Sequence, residues 1–390
     1  MTIPSSLLGI PLVILVIIVL SQFFKNFLKI PTIYSGIIGG YIFSITSIPL
    51  IGRIQIDALY PFISLFTAII FYELGRRINL GWVLTKKLFF VAIVLMLILM
   101  FNIFIQALLY FNLDFKSASL ISAILISTSP AFVLYSIKEL KSEGYLTESI
   151  IHITGISNVL GLLLFSIFFD ISNYNSTAIF SSESVSEIIK MIISCMSGFL
   201  TALMLNAVSN FFKFDENTQF IVISLFIVTV FLLSMQFNLS GMISLLTLGL
   251  FTKINNQRVN LHKSDLGPIS NFSYLMIFIF AGYHLSEISF TYKDFFIASA
   301  LISIKILLPA LFLMLSYKLN TLSFKKTSLI SISLISLSSV AILLSTDLHL
   351  IGSEASLKAI SILWSVIFIS ELISPILLSL SLKLSREVKL

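Results

Sequence analysis

Residues 127–137 read STSPAFVLYSI and lie in the middle of a longer apolar segment, SLISAILISTSPAFVLYSI (119–137). Thr128-Ser129-Pro130 breaks a helix there, because proline has no N–H and pushes the residue before it out of the helical region. Lipid offers no partner to a freed backbone group, so such a break at membrane depth is tolerated only against protein or a wet cavity. The next apolar segment, IIHITGISNVLGLLLFSIF (150–168), carries Gly155-Ile156-Ser157-Asn158 near its middle. Secondary transporters build their sites at interrupted helices near the bilayer midplane. The two stretches together predict a transporter whose site is lined by Thr128, Ser129, Ser157 and Asn158, with Pro130 setting the break.

Composition agrees. Hydrophobic residues make up 57% of the 390 residues and charged ones 11%, with a mean hydropathy of +1.06. A soluble domain carries about 25% charged residues, so this chain reads as an all-α polytopic membrane protein. Its net charge of +6 is a topology signal rather than a nucleic-acid footprint. The single cysteine, Cys195, excludes an internal disulfide and a multi-cysteine metal site. No nucleotide-binding motif is present, and no nucleophile–base or metal constellation, so neither an enzyme nor a cofactor is expected. The N-terminus lacks the features of a cleaved signal peptide and reads as a retained first span.

A span needs roughly 20 apolar residues. On that rule the chain holds about thirteen, over 6–24, 31–51, 58–75, 88–112, 117–137, 148–169, 187–212, 217–235, 238–252, 270–286, 295–317, 327–346 and 357–380. The longest polar stretches run from Asp170 to Glu187 and from Lys253 to Pro268. With the N-terminus outside and the C-terminus cytoplasmic, 18 of the 24 basic residues fall on the cytoplasmic side, as the positive-inside rule requires. The odd count fits two inverted six-helix repeats joined by the linker helix 187–212. The fold-over pairs span 117–137 with TSLISISLISLSSVAILLS (327–345). Ser336, Ser338 and Ser339 then stand where the first repeat has Thr128, Ser129 and Pro130, giving two crossed broken helices.

Several stretches resemble the monovalent cation:proton antiporter (sodium/hydrogen exchanger) superfamily, in its bacterial Kef- and Nap-like branch. IPTIYSGIIGGYI (30–42) is similar to that family's second-span motif, and FYELGRRINL (71–80) to the end of its third span. STSPAFVLYSIKEL (127–140) resembles its first broken helix almost letter for letter. SNFSYLMIFIFAGYHL (270–285) and ELISPILLSL (371–380) are similar to spans ten and thirteen. The resemblance implies a single membrane domain over 1–390. Within it, a scaffold and dimerisation part (1–85 and 217–286) would serve a moving core (86–170 and 295–390). It also implies a homodimer in the plasma (inner) membrane. One departure stands out: where the family carries an acidic residue in span six, this chain has Ser157-Asn158, a degenerate ion-binding motif. The second broken helix is likewise reduced to Leu337-Ser338-Ser339-Val340.

Oxygens for an ion are plentiful, but a titrating group is scarce. Lys305 lies well inside its span and stands where the family often has a basic residue. Away from water the neutral amine is favoured, so Lys305 is one proton-coupling candidate; the plainer reading has it hydrogen-bonded to carbonyls of the broken helix. Glu371, deep in the last span, is the other candidate, with a protonated packing residue as its plainer reading. Glu73 is explained by pairing with Arg76 or Arg77, and His152 is expected to be satisfied by a neighbour. The expected function is exchange of Na⁺ or K⁺ for protons by elevator-like alternating access. Two alternatives compete: a non-exchanging homologue serving as a channel-like or regulatory subunit, and a transporter of another solute such as an anion.

Overall fold

Apolar runs become helices throughout the computed structural model of the chain. The structure describes residues 15, 18–19, 32–45, 60–174, 182–212, 214–254, 267–285, 291–315, 324–337, 340–341, 344–345 and 354–388. Among them the helices are α1 (Thr32–Ile45), α2 (Tyr60–Arg77), α3 (Leu80–Thr85), α4 (Lys87–Tyr110), α5 (Phe115–Leu125), α6 (Pro130–Leu140) and α7 (Tyr145–Tyr174). There follow α8 (Ser182–Phe212), α9 (Glu216–Gln236), α10 (Gly241–Ile254), α11 (Gly267–Leu285), α12 (Tyr292–Leu315), α13 (Phe324–Ser333) and α14 (Glu354–Leu384). No named strand forms among the described residues; a lone antiparallel bridge joins Ser142 to Val388.

Among the described residues, seven segments are long and apolar enough to cross a membrane, counting the interrupted pair α5–α6 as one. Burial ranks them. In the most apolar window of Phe115–Leu140, 94% of residues are buried, against 22% for Val185–Phe212. The interrupted helix therefore sits at the centre of the molecule, and α8 lies along its outside.

Two expectations need adjusting, and others fall outside the described residues. The short helix α3 falls between the expected spans 58–75 and 88–112; Asn79 caps it by accepting a hydrogen bond from the Trp82 N–H at 3.4 Å. The polar stretch expected from Asp170 to Glu187 is helical at both ends, since α7 runs to Tyr174 and α8 starts at Ser182. The expected first span 6–24 lies mostly outside the described residues, as do Ser338 and Ser339.

Close backbone approach fixes two of the packings. The helix α1 runs along α11, and α2 along α10. A Cβ on Gly40 would sit 1.9 Å from the Ile279 carbonyl oxygen, and one on Gly282 the same distance from that of Ile37. Gly75 and Gly249 do the same at the second crossing, each 2.1 Å from a backbone oxygen of the facing helix. Small residues at such crossings let helices approach within dispersion range, which lipid-embedded helices need because apolar burial alone does not drive them together. Elsewhere α5 packs on α4 and α7, and α12 on α13 and α14. The helix α6 is shared, touching α7 and α14 on one side and α2 and α11 on the other.

Buried hydroxyls are mostly consumed locally. Ser119, Ser122 and Ser149 each donate to the carbonyl four residues back, at 2.7 Å. A polar side chain satisfied in this way costs little in an apolar interior.

Candidate functional site

The break after α5 leaves backbone groups that the helix can no longer serve. The helix ends at Leu125, and the Ser127 N–H and hydroxyl both turn back to the Ile124 carbonyl, at 3.1 and 2.6 Å. It restarts at Pro130, with Ser129 as N-cap accepting from the Phe132 N–H at 3.4 Å. Proline suits the first helical position because its missing N–H would have had no partner there. Three of the freed main-chain groups are met from outside the segment. The Ser127 carbonyl accepts from Lys305 Nζ at 2.7 Å. The Thr128 carbonyl accepts from Asn158 Nδ2 at 2.5 Å. The Ser129 N–H donates to the Ser336 carbonyl at 3.2 Å.

Ser336 belongs to a second interruption. The helix α13 ends at Ser333, residues 335–337 are not helical, and helical backbone resumes at Val340 and Ala341. Its carbonyl also lies 3.4 Å from Lys305 Nζ. The two interruptions therefore meet, and one ammonium bonds to both. Lys305 on α12 is 1% exposed, and no carboxylate among the described residues pairs with it.

Thr128, Ser129, Ser157, Asn158 and Lys305 are thus brought together, all buried. Asn158 Nδ2 also donates to the Thr154 carbonyl at 2.8 Å, and the Ser157 hydroxyl donates to the same carbonyl at 3.0 Å. Three buried oxygens of this cluster have no partner among the described residues: Asn158 Oδ1, Thr154 Oγ1 and Ser336 Oγ. A buried polar atom without a partner is costly and calls for a reason. The cluster offers carbonyl and amide oxygens around one ammonium, which is coordination chemistry for a cation.

Glu371 is buried on α14, and no hydrogen bond or ion pair joins it to this cluster; its Oε2 and the nearby Ser374 hydroxyl also lack partners among the described residues. Both ionisable residues share a feature readable in the sequence. Lys305 stands four residues before Pro309 of α12, and Glu371 four before Pro375 of α14. A proline inside a helix frees the carbonyl four residues back and bends the helix there. Near the bend in α14, Tyr34 of α1 donates its hydroxyl to the Leu372 carbonyl at 2.8 Å.

Glu73 pairs with Arg77 at 3.4 Å, as expected of i,i+4 neighbours, and also accepts from the Tyr274 hydroxyl of α11 at 2.5 Å. Tyr274 packs edge-on to Tyr135 of α6 at 5.9 Å, and Phe132 of α6 lies 4.9 Å from Phe278 of α11, so aromatic rings separate the interrupted helix from α11. His152 is satisfied: it accepts from the Asn79 N–H at 3.1 Å and stacks on Trp82 at 4.3 Å. One contact has no sequence signal. The Glu387 carboxylate, beyond α14, accepts from the N–H groups of Leu146 and Thr147 at the start of α7, both at 2.8 Å.

A family model described as "Sodium/hydrogen exchanger, transmembrane" matches residues 12–383. The chain belongs to the sodium/hydrogen exchanger family. It is therefore an integral, multi-pass membrane protein of a transporter family. Among solved structures, this exchanger-family chain is similar to the sodium proton antiporter MjNhaP1 from Methanocaldococcus jannaschii at pH 8. The two share 15% identity and a TM-score of 0.69, covering 97% of this chain and 95% of that one. At that identity the likeness speaks for the fold. No curated protein sequence matches the chain.

Proposed function

We propose that this chain is a secondary antiporter exchanging a monovalent cation, Na⁺ or K⁺, for protons, with its site where the two interruptions meet. The observation that carries the reading is the pair of bonds from Lys305 Nζ to the carbonyls of Ser127 and Ser336. An ammonium held by main-chain oxygens occupies the kind of place a dehydrated alkali cation takes. The span-six carboxylate of the wider family is an asparagine here, so the charge balance shifts to the lysine. A cation entering among the Ser127, Thr128 and Ser336 carbonyls and Asn158 Oδ1 meets like charge until Lys305 releases its proton. One proton leaves the ammonium for each cation bound, which couples the two without a carboxylate. The Thr154 carbonyl holds the Asn158 amide and also accepts from the Ser157 hydroxyl; Glu371 is a reserve for proton passage along α14.

The same reading assigns an elevator-like motion to a core of 86–170 and 295–390 against a scaffold of 1–85 and 217–286. It has about thirteen spans in two inverted repeats and a homodimer in the plasma membrane with the C-terminus cytoplasmic. An anion would face the same carbonyl oxygens, which repel it, so the cation reading is favoured over the anion reading.

Proteoliposomes with a trapped pH dye test this. Pulses of Na⁺, K⁺ or Li⁺ are expected to move protons in the opposite sense. No flux with any of them, and flux gained only in Asn158→Asp, would make the chain a homologue that has lost exchange.

A further inference from the structure

A cavity lies at the end of the bundle opposite Glu387, where α4 ends and α12 and α14 begin. Its volume is about 770 Å³, and its walls include Asp294, Lys293, Lys358, Tyr110, Tyr292 and Phe296. Asp294 is 6% exposed yet lines this space. One of its oxygens is fully used. Oδ2 accepts from the Thr291 N–H at 3.2 Å and hydroxyl at 2.7 Å, and from the Ser361 hydroxyl of α14 at 2.7 Å. Thr291 returns the favour as N-cap of α12, accepting from the Asp294 N–H at 3.3 Å, a reciprocal cap of the Thr-x-x-Asp kind. The carboxylate is thereby locked in place, and its Oδ1 takes no donor among the described residues. No ion pair joins it to Lys293 or Lys358, although all three line the same cavity. A fixed anion and two cations around one space, none pairing with another, match a ligand that carries both signs.

The rim identifies the source of that ligand. Tyr110, Tyr292 and Phe296 are 83%, 96% and 70% exposed. Tyrosines at the ends of spans mark the headgroup level of a bilayer. From Phe296 the exposed face of α12 continues through Ser299 and Ser303, whose hydroxyls bond back to carbonyls of their own helix, to Leu307, Leu311 and Leu315, a track for an acyl chain. We infer that this cavity binds a phospholipid whose headgroup carries a phosphate and a primary ammonium. The ammonium bonds to Asp294 Oδ1, the phosphate to Lys293 and Lys358, and a chain runs along α12. A quaternary ammonium has no N–H to donate, so a choline headgroup loses the bond to Asp294. The site is separate from the interrupted helices: Asp294 and Lys305 are about 16 Å apart along α12 at 1.5 Å per residue.

Delipidated protein titrated in detergent with defined lipids, with bound lipid counted by native mass spectrometry, tests the assignment. Ethanolamine phospholipid is expected to bind about tenfold more tightly than the choline or glycerol phospholipid of the same chains, the worth of one charge-assisted hydrogen bond. Asp294→Asn is expected to remove the preference over choline. Lys358→Gln, on the exposed rim, is expected to weaken all phospholipids while leaving the thermal midpoint unchanged. Equal binding of ethanolamine and choline lipids by the wild type would overturn the proposal, as would a preference that survives Asp294→Asn. Glycerophosphoethanolamine without chains, binding as well as the lipid, would overturn the lipid source in favour of a soluble zwitterion.

Discussion

Asn158 on α7 reaches across to the interrupted helix, its Nδ2 donating to the Thr128 carbonyl at 2.5 Å while its own Oδ1 has no partner among the described residues. A carboxylate at this position would meet that carbonyl oxygen to oxygen, and the Thr154 carbonyl as well. Asn158→Asp is therefore expected to destabilise the protein by about 1–3 kcal/mol in alkaline, cation-free solution. Acid or Na⁺ should restore it, because a proton or a cation between the oxygens replaces the lost amide hydrogens. Thermal unfolding in detergent across pH, with and without Na⁺, reads this out. A midpoint indifferent to both would contradict it.

Lys305→Met removes the donor that serves both Ser127 and Ser336. Ser336 keeps the N–H of Ser129, but the Ser127 carbonyl is left bare in an apolar interior. The expected cost is about 1–3 kcal/mol, seen as a lower thermal midpoint even without any substrate ion.

Glu387 caps α7 from far along the chain, and its Oε2 also takes the Thr147 hydroxyl at 2.9 Å. Lys326 of α13 approaches its Oε1 at 4.0 Å, so the tail ties together the ends of α7, α13 and α14. Glu387→Ala should cost about 1–2 kcal/mol, the range for a lost helix cap. Glu387→Gln, which keeps one acceptor oxygen, should cost less. Equal midpoints for wild type and Glu387→Ala would remove the tail from the account of stability.

Gly282→Ala pushes a methyl into the Ile37 carbonyl, a 1.9 Å approach that nothing flexible can relieve. The expected result is separation of α1 from α11 and a midpoint loss larger than that of Gly81→Ala, where the nearest atom is the side-chain oxygen of Asn79 at 3.2 Å. A disulfide-crosslinking pair placed across α1 and α11 would report the separation directly.

The first interruption was legible because Ser129-Pro130 is at once a helix stop and a helix start, and both signals are local. The helical class and the positions of most helices followed from apolar length in the same way. The second interruption was only half legible: the Ser336 region has neither proline nor glycine, and its unwinding depends on the Ser129 N–H and the Lys305 ammonium reaching its carbonyl. Helix α3 carries no sequence signal because six residues show no periodicity, and its cap, Asn79, lies in a stretch whose one visible signal is its likeness to a family motif. Glu387 gave no signal at all, since its partners, Leu146 and Thr147, are adjacent only after folding. The bond from Tyr274 to Glu73 was hidden for the same reason, although the pairing with Arg77 was not.

The central claim is that a cation and the Lys305 proton compete for the same carbonyls. It is tested most directly by counting protons released when Na⁺ or K⁺ is added to weakly buffered, detergent-solubilised protein, in the wild type and in Lys305→Arg. Arginine can still bond to the Ser127 and Ser336 carbonyls but does not give up its proton. The account predicts about one proton released per cation bound in the wild type, and none in Lys305→Arg at an unchanged thermal midpoint. Proton release that persists undiminished in Lys305→Arg would contradict it.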